Sequence, residues 1–190
     1  MPLISGTFLD VTAATALAAV PPARGAPLSD MVPASLVANW QAEAARFAPA
    51  LRLFIAHSSV TPMRELAALA ADSLNRFDVV VTSYSMLSRL PWIAASQWSL
   101  AVLDEAQAIK NPGAQQTRAV KALRSRVRLA LTGTPVENRL GDLWSLYDFI
   151  CPGLLGSAEA FGRFARRLAR TSTPITAPCA IWCAPIFCAA

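Results

Sequence analysis

The sequence is short of charge, of lysine and of long apolar runs. Only 15% of its 190 residues are charged, against roughly 25% in ordinary soluble domains, and lysine occurs only at Lys110 and Lys121. No window reaches the roughly 18 consecutive apolar residues of a membrane span. A secretory signal has a basic segment before its apolar segment, and the amino terminus of this sequence has no such basic segment. We therefore predict a cytoplasmic protein with no membrane partner.

Zinc-binding patterns are also missing. His57 is the single histidine, and the cysteines at positions 151, 179, 183 and 188 do not have the spacing of a zinc site. We interpret these cysteines as reduced thiols. The net charge of +5 comes almost wholly from arginine, which binds phosphate well, but this charge alone is equally typical of a solvated surface.

What the sequence does contain is an alternation of strand and helix patterns between about Pro33 and Ala169. Apolar, β-branched runs predict strands, and apolar residues at helical spacing predict the helices between them. The predicted strands are 51–56, 78–82, 99–103 and 127–131, and the predicted helices include 35–47, 84–90, 115–124 and 140–150. This order predicts an α/β fold in which a parallel sheet is flanked by helices.

The two ends of the chain lack this order. Residues 1–31 are rich in Ala, Pro and Thr and follow neither the strand nor the helix period, and residues 171–190 carry no charge at all. We therefore predict three parts: an unpatterned segment 1–31, a partial domain 32–170 and an unpatterned apolar tail 171–190.

An acidic motif follows one of the predicted strands. Asp104, Glu105 and Gln107 come directly after the apolar run Ser99–Leu103. Because ligands of open α/β sheets bind at the carboxyl ends of the strands, these side chains are candidates for a site. Such an aspartate can hold Mg²⁺ and such a glutamate can activate water, but an acidic pair is also ordinary at the start of a helix, where it complements the helix dipole.

A second turn, Thr132-Gly133-Thr134-Pro135, follows the next predicted strand. Taken alone, these are ordinary residues for a strand-to-loop turn. Two polar turns at the ends of consecutive strands of one sheet, however, favour a shared phosphate-binding site.

These motifs carry a resemblance to a known family. The runs LDEAQAIKNPGAQQTRAVKAL and LALTGTPVENRLGDLWSLYDFICPGLLG resemble the first lobe of the Swi/Snf (sucrose non-fermenting) helicase-like ATPases, and PASLVANWQAEAARFAP and VVVTSYSMLSRL resemble its DNA-facing segments. The resemblance covers about Pro33 to Phe164. It implies a RecA-like P-loop NTPase lobe, here incomplete, from a superfamily-two motor that translocates on double-stranded DNA and remodels protein–DNA complexes.

The resemblance also implies site residues, with ATP and Mg²⁺ as cofactors. Asp104 matches the acid that holds Mg²⁺ through water, Glu105 the acid that activates water, and Gln107 the glutamine that couples to the nucleotide. The turn that links nucleotide state to DNA contact is matched by Thr132, Gly133 and Thr134.

Double-stranded DNA is the implied partner. Ser35 lies in the first DNA-facing segment, and the second contains Thr82, Ser83 and Tyr84. Hydroxyls and backbone amides there are expected to bind phosphate oxygens rather than bases. Each hydroxyl could instead cap the helix that follows it.

The sequence departs from the family in two respects. It has no G-x-x-x-x-G-K-[ST] phosphate-binding loop, since none of its eight glycines is followed by lysine, and we expect it to lack the second helicase lobe with its arginine finger. We therefore expect a fragment of a longer DNA-dependent ATPase that is inactive alone. Two alternatives stay open: a non-catalytic module that binds DNA or protein, and a truncated product without function.

Overall fold

The structure, a computed structural model, describes residues 27–133 and 140–170 of the chain. Within these ranges five strands alternate with six α-helices, and short 3₁₀ turns occupy Ala34–Leu36, Ala71–Arg76, Tyr84–Met86 and Ala106–Ile109. The elements in chain order are β1 (Leu28–Val32), α1 (Val37–Phe47), β2 (Leu53–Ala56), α2 (Met63–Ala67), β3 (Val79–Ser83), α3 (Pro91–Ala95), β4 (Gln97–Leu103), α4 (Gln115–Lys121), β5 (Arg124–Ala130), α5 (Leu140–Ile150) and α6 (Ala158–Arg170).

The five strands form one sheet in the order β2-β3-β1-β4-β5, and all four strand pairs are parallel. This confirms the predicted fold class. Because the strands run in the same direction, their carboxyl ends lie at one edge of the sheet. The predicted site residues lie at the end of β3 or after β1, β3, β4 and β5, so the topology brings them to that edge.

Each face of the sheet has its own hydrophobic cluster, because side chains alternate between the faces along a strand. Helices α2 to α5 cover one face. The buried residues between these helices and the sheet, which we call the major cluster, include Met31, Leu66, Val80, Trp98, Leu103 and Phe149. Helix α1 covers the other face. The buried residues there, which we call the minor cluster, include Leu28, Val32, Trp40, Val79, Val81 and Val102.

Strand β1 was not predicted from the sequence. It lies between β3 and β4, yet most of it falls in residues 1–31, which lack a strand pattern. Ser29 and Asp30 interrupt its apolar run, and this interruption hides the strand. Pairing with β3 on one side and β4 on the other satisfies its backbone and outweighs its low strand propensity. The division into three parts otherwise stays a prediction.

Two of the predicted helices have different limits in the structure. The predicted helix 84–90 is only a 3₁₀ turn at Tyr84–Met86, and the α-helix begins later, at Pro91. Proline disfavours helical geometry at the residue before it but is well suited to the first turn of a helix, so α3 starts at this proline. The predicted helix 115–124 ends at Lys121 because Arg124 already pairs with β4.

Arg128 is a charged residue within β5 that belongs to the packed structure. Its guanidinium donates hydrogen bonds to the carbonyls of Leu123, 2.8 Å away, and Phe149, 3.0 Å away, and it lies over the Phe149 ring. Burial lowers the pKa of this arginine. The side chain therefore joins β5 to the segment before it and to the end of α5, and it belongs to the packed structure rather than to the solvated surface.

Asp30 is a charged residue at the centre of the sheet. Its side chain is fully buried, its register partners are Val81 and Val102, and neither carboxyl oxygen has a hydrogen-bond partner among the described residues. Burial raises its pKa well above the usual value, the negative charge of Asp104 raises it further, and the nearby backbone amide of Met31 opposes them with a smaller lowering effect. An unpaired buried carboxyl group destabilises the fold in which it lies.

We predict that Asp30→Val raises the free energy of unfolding by roughly 1–3 kcal/mol at neutral pH, because valine fits between two valines and needs no hydrogen bonds. Folding raises the pKa of Asp30, so its contribution to stability is full below the unfolded pKa of about 3.9 and is lost as the pH rises towards the folded pKa. The gain from the substitution should therefore be larger at about pH 7 than at about pH 4, as measured by urea unfolding.

Ser29→Ala provides the matched control. Ser29 is the preceding residue of β1 and is also fully buried, and its hydroxyl has no hydrogen-bond partner within residues 27–133 and 140–170, but it does not titrate. Any gain from its removal should be the same at both pH values. An Asp30→Val gain that does not change with pH would contradict a titrating, desolvated carboxyl group at this position.

Candidate functional site

The site is built around Asp104, the first residue after β4. Its side chain is buried, and each carboxyl oxygen accepts a hydrogen bond. The indole Nε1 of Trp40 donates to Oδ2 at 2.9 Å, and the backbone amide of Glu105 donates to Oδ1 at 2.9 Å. The carboxylate therefore has a fixed orientation at the carboxyl edge of the sheet.

The backbone of Asp104 is held as firmly as its side chain. Its amide donates to the carbonyl of Met31 on β1 at 2.9 Å, and the hydroxyl of Tyr84 donates to its carbonyl at 2.7 Å. Tyr84 belongs to the major cluster and Trp40 to the minor cluster. Asp104 is thus fixed from both faces of the sheet.

Glu105 has a left-handed backbone. Its φ is 50°, and it is the one non-glycine residue with positive φ among those that the structure describes. Such a conformation costs about 1–2 kcal/mol for a residue with a Cβ atom. It turns the chain sharply from β4 into the 3₁₀ turn Ala106–Ile109.

Gln107 connects this turn to β5. Its side-chain Nε2 donates to the carboxylate of Glu105, and its Oε1 accepts a hydrogen bond of 2.7 Å from the hydroxyl of Thr132. Backbone bonds support the contact, because the amide of Ala106 donates to the carbonyl of Leu131 at 2.9 Å. The three side chains therefore form a continuous hydrogen-bonded chain from β5 to the second acid, beside Asp104.

The electrostatics of Asp104 reflect opposing effects. Burial raises its pKa most, the Trp40 and Glu105 hydrogen bonds lower it, and the charge of Glu105 raises it again. Burial and the charge of Glu105 both disfavour the ionised form of Asp104, and a cation at this edge would offset these two effects. Carboxylate oxygens are the ligands that Mg²⁺ prefers, and each oxygen of Asp104 keeps a lone pair after its one hydrogen bond.

The donor set therefore fits Mg²⁺ held largely through water. Within residues 27–133 and 140–170, no three His, Cys, Asp or Glu side chains come together as a metal-binding group. Mg²⁺ characteristically keeps several of its waters and takes only one or two carboxylates from the protein.

Comparison with known proteins identifies the family. The model of the SNF2-related domain matches residues 30–176, which is most of the chain. This chain belongs to the SNF2-related domain family. The resemblance seen in the sequence is thereby confirmed, and it extends to the strand that carries Asp30.

Relatives of this SNF2-related domain occur in eukaryotes and bacteria. It is 41% identical over 139 residues to the TATA-binding protein-associated factor mot1 of Schizosaccharomyces pombe, with 72% of this chain and 7% of that protein covered. It is 39% identical over 132 residues to the putative ATP-dependent helicase/translocase YwqA of Bacillus subtilis, with 69% of this chain and 14% of that protein covered. The chain thus spans a small part of the length of these relatives.

The fold is shared with a solved SNF2 structure. The Sulfolobus solfataricus SWI2/SNF2 ATPase core in complex with dsDNA is 36% identical, with a TM-score of 0.70 over 84% of this chain and 32% of that chain. This match supports the RecA-like lobe architecture. No helix in the described part of the SNF2-related domain is long and apolar enough to be a membrane span, and the compartment stays a prediction.

The structure separates the predicted DNA-facing residues into two groups. Ser35 is exposed in the turn before α1, where a phosphate could reach it. The other three side chains are buried: the Thr82 hydroxyl donates to the carbonyl of Ala56 at 2.9 Å, the Ser83 hydroxyl pairs with that of Ser85, and Tyr84 binds Asp104. Phosphate binding by these hydroxyls is therefore not supported, and DNA contact by this segment would use its backbone or its exposed Ser85.

The remaining predicted residues and one unpredicted residue complete the site. Gly133 is exposed directly after Thr132, and Thr134 lies outside the described residues. Trp40 was missed as a site residue because its helical spacing indicates only a core position. The sequence feature that could have indicated its role is general: the indole N–H of a buried tryptophan needs a hydrogen-bond acceptor.

We predict that Glu105→Gly is more stable than Glu105→Ala by about 1 kcal/mol, because glycine adopts positive φ without the clash that a Cβ atom makes. Both variants lose the side chain and its bond to Gln107, so their difference isolates the backbone strain. Urea unfolding of the two proteins measures it. Equal stability, or a more stable alanine variant, would contradict a strained turn at this position.

Proposed function

We propose that this chain is the acid-bearing part of the first lobe of an SNF2-type, DNA-dependent ATPase. The observation that carries the proposal is the hydrogen-bonded chain Thr132–Gln107–Glu105 beside the fixed carboxylate of Asp104. It joins the ends of two neighbouring strands around two acids, an arrangement suited to the hydrolysis of a nucleotide phosphate.

In this proposal the two acids have different roles. Asp104 would hold Mg²⁺ through water, and the bound Mg²⁺ would neutralise charge on the nucleotide phosphates. Glu105 would orient the attacking water and accept its proton during in-line attack on the terminal phosphate. The structure supports this division, because Asp104 is buried and fixed whereas Glu105 is only half-buried and lies next to it.

Gln107 and Thr132 would keep Glu105 in place. The side-chain nitrogen of Gln107 donates to the carboxylate of Glu105. The side-chain oxygen of Gln107 accepts a hydrogen bond of 2.7 Å from the hydroxyl of Thr132, so both ends of the Gln107 amide are held. A small movement of Thr132 in the turn after β5 would therefore shift the carboxylate of Glu105, because two hydrogen bonds connect them through Gln107. This supports a role for the turn in sensing the terminal phosphate.

Duplex DNA is the proposed second ligand. The match to an ATPase core in complex with dsDNA supports it, as does the exposure of Ser35 at the same edge of the sheet. Contacts there would go to the phosphate backbone, so binding would be largely independent of sequence and would weaken as the salt concentration rises.

The sequence has no phosphate-binding loop, so we expect the purified chain not to turn over ATP. Its rate should equal that of Glu105→Gln. Whether Asp104 and Glu105 can support ATP hydrolysis is tested in a chimera in which residues 27–170 replace the matched segment of the Sulfolobus ATPase core. This chimera should hydrolyse ATP in the presence of duplex DNA, and Glu105→Gln in the chimera should slow turnover by about 100-fold or more.

The control variant in the chimera is Glu159→Gln, which makes the same chemical change on α6, where Glu159 is exposed and pairs with Arg163. It should leave turnover unchanged. DNA-stimulated turnover by the purified 190-residue chain would refute its expected inactivity. A chimera that folds and binds nucleotide but has equal rates with and without Glu105 would refute the proposed role of that acid.

A second candidate is a non-catalytic module that binds duplex DNA. The missing phosphate-binding loop favours it, because the DNA-facing edge does not depend on that loop. Salt-dependent binding of a duplex by the purified chain, together with an inactive chimera, would select this function over the ATPase.

A further inference from the structure

We propose that Trp40 is a positioning residue that connects DNA contact at the start of α1 to the carboxylate of Asp104. The inference rests on the proposed function, because it concerns how the acid that would hold Mg²⁺ is oriented. Trp40 does not touch the reacting groups itself. It acts through the one hydrogen bond that its indole makes to Asp104.

The contact is specific among the tryptophans that the structure describes. The indoles of Trp92, Trp98 and Trp144 donate to neutral backbone carbonyls, those of Leu66, Ile93 and Gly156 respectively. Trp40 alone in this group donates to a carboxylate, across 64 positions of sequence. The bond has an ordinary length of 2.9 Å, but a hydrogen bond to a charged acceptor is stronger than a neutral one, so this bond fixes the orientation of its acceptor.

The position of Trp40 on α1 gives it a path to the DNA-facing edge. Ser35 lies in the 3₁₀ turn Ala34–Leu36, which leads directly into the helix, and Trp40 is four residues into the helix. Trp40 itself is buried, with 3% of its surface exposed, so DNA could not touch its ring. Any effect of DNA on Trp40 would have to travel through the backbone of α1.

Tyr84 forms a second connection of the same kind. It follows β3 in the other DNA-facing segment, and its hydroxyl donates to the carbonyl of Asp104 at 2.7 Å. Both DNA-facing segments thus reach the same residue, one through its carboxylate and the other through its backbone. Displacement of α1 relative to the sheet would change the donor–acceptor geometry at Trp40, and hydrogen bonds weaken steeply when that geometry is lost.

The first test uses the purified 190-residue chain without any substitution. Its tryptophan side chains are observed by ¹H–¹⁵N NMR while duplex DNA is added. The indole N–H resonance of Trp40 and the backbone amide resonances of Asp104 and Glu105 should shift as the duplex binds. The indole resonances of Trp92 and Trp98, which lie in the major cluster, should stay in place.

The second test compares Trp40→Phe with Trp98→Phe. Each substitution keeps a buried aromatic ring and removes one indole N–H, so both carry a similar structural cost. Both variants should bind the duplex with an affinity close to that of the parent in fluorescence anisotropy. In Trp40→Phe the DNA-induced shifts of the Asp104 and Glu105 amides should be clearly smaller than in the parent, because only the Tyr84 connection remains. In Trp98→Phe they should keep their full size.

Each outcome decides the proposal. Failure of the parent chain to bind the duplex would overturn the DNA part of the proposed function and this inference with it. Binding that leaves the Trp40 indole resonance unmoved would overturn the inference alone, and so would Asp104 and Glu105 shifts of full size in Trp40→Phe. If Trp40→Phe does not fold, the first test still decides, because it needs no variant.

Discussion

The hydrogen bond from Trp40 to Asp104 is the interaction on which the organisation of the site depends. It fixes the acid after β4 from the minor cluster, while Tyr84 fixes the same residue from the major cluster. The parallel sheet makes this possible, because it brings the ends of β1, β3, β4 and β5 to one edge. A site assembled from four chain segments is then oriented by buried contacts rather than by surface loops.

This organisation has a cost in stability, and the cost is concentrated near the acids. Asp104 is buried, Glu105 has a strained backbone, and Asp30 lies unpaired on the strand beside them. Strained and desolvated groups are typical of functional sites, where a fixed geometry matters more than stability. Asp30 is different, because the proposed mechanism does not use it and no contact in the described residues explains it.

Much of the fold followed from the sequence, because the strands β3 and β4 are apolar and the two polar turns come directly after strands. Strand β1 could not be predicted, since pairing on both sides overrides the polar Ser29 and Asp30. At the site, Asp104, Glu105, Gln107 and Thr132 come together as expected. The buried hydroxyls of the second DNA-facing segment and the role of Trp40 could not be foreseen, because the direction of a side chain depends on tertiary packing.

The most direct test of this organisation is the indole N–H resonance of Trp40 in an Asp104→Ala variant of the 190-residue chain. Loss of the carboxylate acceptor should move the Trp40 proton upfield and leave the indole protons of Trp92 and Trp98 unchanged. A Trp40 resonance that does not move, or three resonances that move together, would contradict the central place of this hydrogen bond.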